Sequence, residues 1–303
     1  MRALIIGCGY LGLPLGAELV QRGHEVFGLR RNSSSAHELE RAGINPLLAD
    51  ITQPETLAKL PRNFDWVVNC VASGGGSADD YRQVYLEGMR NVVDWLVPSD
   101  STKRKPRMPR FVYTSSTSIY GQNDGSTVDE TSPTEPTAET ARVLLETEKL
   151  LLDAAHEIKF SAMILRVAAI YGPGRGYWFK QFVNSEARLE GKGERILNMI
   201  HRDDVIGCII STLERGESGN FYNAVDDEPV SQFDFFSWLS RALGKPMPDS
   251  IPPSTESARK RGVTNKRVSN QKLKSKLGYQ FKFPTYREGY LAEIQALPIV
   301  RPQ

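Results

Sequence analysis

The sequence predicts an α/β protein, with a doubly wound parallel sheet followed by a smaller C-terminal lobe. Short apolar segments alternate with helical patterns along the first half, and after Tyr171 this alternation gives way to Gly/Pro loops and short elements. Apolar runs bounded by turn residues are typical of strands buried on both faces. Their alternation with helices indicates parallel pairing, because a crossover helix returns the chain to the same edge. At 303 residues the chain can bury a large core.

The elements of this sheet can be assigned in order. The predicted strands cover residues 2–7, 25–29, 44–50, 65–72, 110–116 and 161–167. The first helix ends at Gly23, and the second begins in a serine run and ends at Gly43, because glycine is favoured just past a helix terminus. Longer helices are predicted over 79–96 and 139–157, where apolar residues recur at helical spacing.

Composition excludes several classes of protein. A net charge of +2 gives no strong field toward nucleic acid or a membrane. Cys8, Cys70 and Cys208 lack metal-ligand spacing, so we expect reduced buried thiols, no metal site and a cytoplasmic location. We find no signal peptide and no run of the ~20 apolar residues that a membrane span needs. Basic stretches at 101–110 and 256–267 read as solvated loops, the second alternatively as a phosphate-facing loop.

A glycine-rich loop joins the first strand to the first helix. Gly7, Gly9 and Gly12 form G-x-G-x-x-G, with Tyr10 and Leu11 between the second and third glycines. The first glycine permits a tight turn, the second lets a pyrophosphate approach the backbone, and the third allows close helix–strand packing. The helix N-terminus then offers free N–H groups to phosphate. Flavoproteins and methyltransferases share such loops, so the motif predicts a nucleotide-type cofactor without naming it.

The end of the second strand narrows the choice of cofactor. NAD and the methyl donor of methyltransferases usually meet a carboxylate there, whereas this chain has Arg30 and Arg31. Two guanidinium groups suit a 2′-phosphate, which favours NADP(H) over NAD(H) and disfavours a methyltransferase. The alternative is a pair of solvated arginines. Asp50, followed by Ile51, ends the third strand, where a carboxylate can meet the adenine amino group.

Later stretches, taken in order, resemble successive motifs of the extended short-chain dehydrogenase/reductase family, the NAD-dependent epimerase/dehydratase group. They are residues 67–72, 112–121, 165–175, 199–205, 265–279 and 284–290. The resemblance covers nearly the whole chain. It implies a Rossmann-type NAD(P)-binding domain over residues 1–172 and a C-terminal substrate-binding lobe over 173–303, partly interleaved with the sheet. It also implies a small-molecule substrate, which in many relatives is a nucleotide-sugar, and a homodimer formed by the helices after strands four and five.

The resemblance also assigns roles to individual residues. Val71 and Ala72 would lie along the cofactor. Ser116 takes the position of the catalytic Ser/Thr, whose hydroxyl can bond a substrate oxygen. Arg166 and Tyr171 frame the loop that would flank the nicotinamide. Arg175 and His201 take positions where relatives meet substrate or close the cleft. The alternatives are ordinary turn serines and helix caps.

One departure from the family pattern concerns the acid/base pair. The family's Tyr-x-x-x-Lys, whose two members share a helix face, falls on Thr140 and Leu144, and no tyrosine lies between Gly121 and Tyr171. Threonine is too weak an acid for the relay, and leucine supplies no charge. This resembles an atypical subgroup of the family.

Two functions therefore compete at this stage. The first is an NADP(H)-dependent oxidoreductase or epimerase with a carbonyl or sugar-type substrate, in which Ser116 orients the substrate. Its relocated acid would be Tyr177, His201, or one of Tyr81 and Tyr85. The second is a catalytically inactive NADP(H)-binding sensor or regulatory protein. We favour the enzyme, because Ser116 and the substrate lobe are retained.

Overall fold

A seven-stranded parallel sheet forms the centre of the protein. The computed structural model describes residues 1–73, 76–97, 108–158, 160–252 and 264–297. The strands of the sheet are β1 (Arg2–Ile6), β2 (Glu25–Arg30), β3 (Asn45–Leu48), β4 (Trp66–Asn69), β5 (Arg110–Ser116), β7 (Ser161–Val167) and β12 (Phe221–Ala224). Their order is β12-β7-β5-β4-β1-β2-β3, and every adjacent pair is parallel. The predicted fold class is confirmed.

The other strands are short and form two-stranded pairs. They are β6 (Thr127–Val128), β8 (Ala169–Tyr171), β9 (Leu189–Glu190), β10 (Ile196–Leu197), β11 (Met199–His201), β13 (Val230–Ser231), β14 (Ser250–Ile251) and β15 (Arg267–Val268). The pairs are β10 with β13, β11 with β8, β14 with β9, and β15 with β6.

Helices flank the sheet and build most of the C-terminal part. They are α1 (Gly12–Gln21), α2 (Ala36–Arg41), α3 (Pro54–Leu57), α4 (Ala78–Tyr81), α5 (Gly88–Leu96), α6 (Glu139–Glu157), α7 (Tyr177–Val183), α8 (Arg202–Arg215), α9 (Gln232–Leu243), α10 (Gln271–Leu277) and α11 (Tyr286–Gln295). Short 3-10 turns occupy Ser33–Ser35 and Thr117–Ile119, and a π-helical segment occupies Arg82–Glu87. The helix predicted over 79–96 is thus interrupted by a π segment.

Two predicted strands end earlier than the apolar runs indicated. β3 stops at Leu48, because the Asp50 carboxylate accepts the Thr52 N–H and hydroxyl at 2.9 and 2.8 Å and turns the chain. β4 stops at Asn69, and the next N–H, of Cys70, makes a last bond to the sheet at 2.8 Å. Val71 and Ala72 therefore follow a strand rather than end one, and they lie in the loop beyond it.

Two hydrophobic clusters hold the described residues together. The larger one surrounds the sheet, where Ile5, Val68, Val112 and Ile164 are fully buried. The smaller one is aromatic and lies in the C-terminal part; its large members are Tyr171, Phe179, Phe182, Phe235, Phe236, Tyr286 and Tyr290. Tyr171 of the smaller cluster lies at the end of β8, next to Ile170, which packs against the larger cluster.

The C-terminal part also completes the sheet. β12 pairs with β7, and α8 packs on β5 and β7. The boundary between residues 172 and 173 stays a prediction. No helix in the described ranges is both long and apolar enough to cross a membrane. Of the two basic stretches, 101–107 and 256–263 lie outside the described residues.

Candidate functional site

A cleft of about 780 Å³ opens where the sheet strands end at their carboxyl termini. Loops after β1, β2, β3, β4 and β7 and the last residues of β5 line one side, and residues of the C-terminal part line the other. In doubly wound sheets this edge is where ligands bind, since helix N-termini and flexible loops converge there. The cleft therefore brings the separate sequence motifs into one place.

The glycine loop forms one wall of the cleft. Gly7 has φ +84°, and a Cβ there would lie 2.7 Å from the Val71 nitrogen. A Cβ on Gly12 would lie 2.6 Å from the Gly7 carbonyl oxygen, whereas a Cβ on Gly9 would meet nothing within 4 Å. Gly9 thus leaves open space at the cleft, and the other two glycines permit the turn and the packing. Leu11 precedes α1 without a side-chain cap, and the first turn holds no acidic residue. This cradle fits a pyrophosphate.

Both predicted arginines line the cleft. Arg31 is exposed, whereas a guanidinium nitrogen of Arg30 lies 3.0 Å from a carboxylate oxygen of Glu38 on α2. A 2′-phosphate would have to share Arg30 with that carboxylate. A second cavity of about 530 Å³ shares Arg31 and Asp50 with the cleft and adds Lys59, a cation that the sequence reasoning missed.

The loops after β3 and β4 supply the middle of the cleft. Asp50, Ile51, Val71 and Ala72 all line it, as the predicted cofactor site requires. Cys8 and Cys70 line it as well. Burial raises the pKa of the Cys8 thiol to about 12 and also raises the pKa of the Cys70 thiol, so both are protonated at neutral pH.

Ser116 lies at the end of β5 and lines the cleft. Its hydroxyl accepts the Ser118 N–H at 3.2 Å and caps the following 3-10 turn. Ser115, which sequence reasoning passed over, also lines the cleft, and its hydroxyl donates to Glu148 on α6 at 2.5 Å. Two neighbouring hydroxyls are therefore present, and a buried carboxylate holds one of them in place.

That carboxylate belongs to a buried ion pair. Arg166 of β7 donates to Glu148 at 2.8 Å, and the two side chains are 3% and 1% exposed. Arg166 also donates to the Tyr120 hydroxyl at 2.8 Å, which donates to the Asn223 side chain at 2.9 Å. Arg166 begins the loop expected to flank the nicotinamide; residues 167–171 of that loop line the cleft, whereas Arg166 itself does not. Its contacts instead tie β5, α6, β7 and β12 together behind the cleft.

The two positions of the family's acid/base pair lie on α6. Thr140 and Leu144 are both buried, and Leu144 lines the cleft whereas Thr140 does not. An aliphatic side chain therefore occupies the cleft wall where a lysine was expected. The π-helical segment, which packs against α6, carries Tyr85 on the cleft, and the Tyr85 hydroxyl accepts the Ser73 N–H at 3.1 Å.

The C-terminal part contributes cations and aromatic rings. Arg175, Tyr177 and Lys180 line the cleft, and the Tyr177 side chain is 67% exposed. The Arg175 guanidinium carbon lies 4.9 Å from the centre of the Tyr10 ring, which places it beside the glycine loop. Within the described chain, the lining contains four cationic side chains and one carboxylate, that of Asp50. The cleft is accordingly suited to an anionic ligand.

His201 lies behind this wall. It is 2% exposed, and its Nδ1 accepts the Asp203 N–H at 3.1 Å, which caps α8. Its ring contacts Tyr171 and Phe283, and it is not among the residues that line the cleft, although Tyr171 is. Burial lowers the pKa of His201 to about 4, so the imidazole is neutral at neutral pH. Within the described ranges, no group of three or more His, Cys, Asp or Glu side chains could hold a metal ion.

Comparisons with known proteins agree with this geometry. The model of the NAD-dependent epimerase/dehydratase family matches residues 3–224. Protein YeeZ of Escherichia coli K12 is 29% identical, covering 93% of this chain and 96% of its own. The 3-diazoavenalumate denitrifying reductase of a Streptomyces species is 25% identical over 95% of this chain and 99% of its own. A solved candidate epimerase/dehydratase from Methylobacillus flagellatus is 32% identical, with a TM-score of 0.75 over 97% of this chain and 98% of its own. UDP-glucose 4-epimerase of Thermotoga maritima shares the fold, with a TM-score of 0.81, 20% identity and coverage of 97% and 98%.

Proposed function

Because the chain belongs to the NAD-dependent epimerase/dehydratase family, we propose that it is an NADP(H)-dependent oxidoreductase that acts on a small carbonyl or sugar-type substrate. The observation that carries this proposal is the cleft itself, in which Gly7 and Gly9 of the glycine cradle, Arg30, Arg31 and Ser116 all line one continuous space. The Streptomyces relative is named as a reductase, which supports reduction. Epimerisation is the alternative reaction of the same site.

The cofactor would lie across the sheet edge. Gly7, Gly9 and Gly12, with the backbone of Tyr10 and Leu11, would hold the pyrophosphate. Arg30 and Arg31 would hold a 2′-phosphate. Asp50, beside Ile51, would bind the adenine amino group. The rest of the dinucleotide would run along Val71 and Ala72. When bound, the dinucleotide supplies the hydride chemistry.

The substrate would sit between Ser116 and the C-terminal wall. A Ser116 hydroxyl can donate to a carbonyl oxygen, and its position is set by the Ser118 N–H. Arg175 and Lys180 favour a substrate that carries an anionic group. Among the acid candidates, placement on the cleft favours Tyr177 and Tyr85 over His201 and Tyr81, since neither of the latter lines it.

Cofactor titration tests the proposal directly. We expect NADPH to bind more tightly than NADH. Arg31→Ala should weaken NADPH by about 10- to 100-fold, the equivalent of one charge-assisted contact, and leave NADH nearly unchanged. Glu38→Gln is the matched control, because it frees Arg30 from its carboxylate and should strengthen NADPH binding severalfold. A protein that binds neither NADPH nor NADH would refute the proposal. Oxidation of NADPH by a panel of carbonyl compounds then tests turnover.

A second function, an inactive NADP(H) sensor, is favoured by Thr140 and Leu144. The double substitution Thr140→Tyr with Leu144→Lys discriminates the two. If the wild-type protein is inactive and the double variant is active, the sensor is supported. If the wild-type protein is active and the double variant changes its activity little, a relocated acid is supported.

A further inference from the structure

The helix that follows β4 carries an unusual backbone turn at the cleft. Residues 78–96 run through α4, the π-helical segment Arg82–Glu87 and α5 without a break. π-helical turns are rare and occur mostly at functional sites, because the extra residue redirects side chains that an α-helix would space evenly. Here Val84 and Tyr85, both within the π segment, line the cleft. The irregularity is thus located where the helix faces the ligand space.

The Tyr85 hydroxyl is hydrogen-bonded to the backbone beside the cleft. Its oxygen accepts the Ser73 N–H at 3.1 Å, so its own proton is left to donate into the cleft. The ring is 5% exposed and packs on Tyr81 with ring centres 5.0 Å apart. The Ser73 hydroxyl, also at the cleft, is buried and has no hydrogen-bond partner among the described residues. This corner therefore offers polar groups to a ligand.

Other tyrosines that line the cleft are less suited to donate a proton. Burial raises the pKa of Tyr10, of Tyr171 and of Tyr290. The Tyr171 hydroxyl is directed to the Thr285 carbonyl oxygen at 3.4 Å. Tyr177 is mostly exposed to solvent and lies on the far wall.

Tyr85 also faces the right part of the cleft. α6 packs against the π segment, and Leu144 of α6 lines the cleft on that side. Val71 and Ala72, proposed to run along the dinucleotide, immediately precede Ser73. We propose that Tyr85 is the proton donor of this enzyme, placed on the cleft by the π-helical turn and anchored by the Ser73 N–H. This inference rests on the proposed oxidoreductase function.

Reduction needs only the carbonyl substrate, the reduced dinucleotide and a proton from Tyr85, which water replaces. In reduction, the substrate carbonyl carbon accepts a hydride from the reduced nicotinamide dinucleotide, which is oxidised. The Tyr85 O–H bond breaks and its proton goes to the carbonyl oxygen, which completes the alcohol. The Ser73 N–H stabilises the resulting tyrosinate, which regains a proton from water.

Tyr85→Phe is the first test, because it removes the hydroxyl and keeps the ring. We expect turnover to fall 10²- to 10⁴-fold, the usual range for a lost general acid, while NADPH affinity changes less than about twofold. Tyr81→Phe is the matched control on the same helix and should keep wild-type turnover. Tyr177→Phe tests the rival acid candidate on the cleft, and turnover lost in that variant instead of in Tyr85→Phe would assign the proton donor to Tyr177.

A second measurement separates proton donation from a merely structural role. Replacement of Tyr85 by 3-fluorotyrosine keeps the hydroxyl and its contact with Ser73 but makes the phenol more acidic. The limb of the pH–rate profile that reports the donor should move to lower pH, and fluorotyrosine at position 81 should leave it unmoved. The fluorine resonance at position 85 should shift when NADP⁺ is added.

Failure of the Tyr85 role and failure of the oxidoreductase function would give different results. An active Tyr85→Phe variant, an unmoved pH limb, or loss of activity in Tyr177→Phe instead would overturn the role of Tyr85 and leave the oxidoreductase intact. A wild-type protein that binds neither dinucleotide would overturn the proposed function. A protein that binds NADPH yet reduces nothing in the panel would overturn both turnover and the role of Tyr85.

Discussion

Removal of one charge from the buried ion pair should destabilise the protein strongly. Glu148→Gln leaves the Arg166 guanidinium, 3% exposed, without its anionic partner. An uncompensated buried charge of this kind costs about 3–5 kcal/mol. With a urea dependence near 3 kcal/mol per molar, the unfolding midpoint should fall by about 1 M or more.

The same helix supplies a control for this experiment. Glu146, two residues earlier on α6, pairs with Arg82 at 2.7 Å, a separation close to the 2.8 Å of the buried pair. Both side chains of the surface pair are 46% exposed, so water screens their attraction. Glu146→Gln should leave the urea midpoint almost unchanged. Equal midpoints for the two variants would refute the reasoning that burial, rather than geometry, gives the ion pair its importance.

Three further outcomes are expected. Gly12→Ala should lower the thermal unfolding midpoint, because its Cβ would lie 2.6 Å from the Gly7 carbonyl oxygen. Gly9→Ala should leave that midpoint unchanged but weaken dinucleotide binding. The opposite pattern would contradict the roles given to the two glycines. Lys180→Ala should raise KM for anionic substrates more than for neutral ones, as measured by initial rates, and equal effects would refute the charge argument. Burial lowers the pKa of His201 to about 4, so protonation is disfavoured in the folded state. The free energy of unfolding should therefore decrease as pH falls from 6.5 to 4, by at most about 3 kcal/mol. His201→Asn should flatten that slope in urea titrations, whereas an unchanged slope would point to another group.

Features that depend on local spacing were predictable from the sequence. The bounds of α6 and β5 match the predicted ranges, because each is a long run with one clear period. The glycine cradle follows from three residues in one loop. The short overruns at β3 and β4 arise because an apolar run does not mark where the chain turns.

Features that depend on distant partners were not predictable in this way. Nothing in the neighbourhood of Glu148 indicates that Arg166 will pair with it, since the contact exists only once α6 packs on the sheet. The sequence predicts that Arg30 can bind a 2′-phosphate, but its pairing with Glu38 depends on where α2 packs. The π segment has no clear sequence signature, and the helical period across residues 79–96 conceals it.

The position of β12 has a consequence for how the chain matures on the ribosome. This strand borders β7, but it is made only after α7, α8 and several short strands have emerged. Until then, β7 presents an open row of amide and carbonyl groups, the type of edge that recruits foreign strands. The nascent chain therefore exposes that border over the whole interval between the synthesis of the two strands. Truncation anywhere inside that interval should yield aggregates rather than a smaller stable domain.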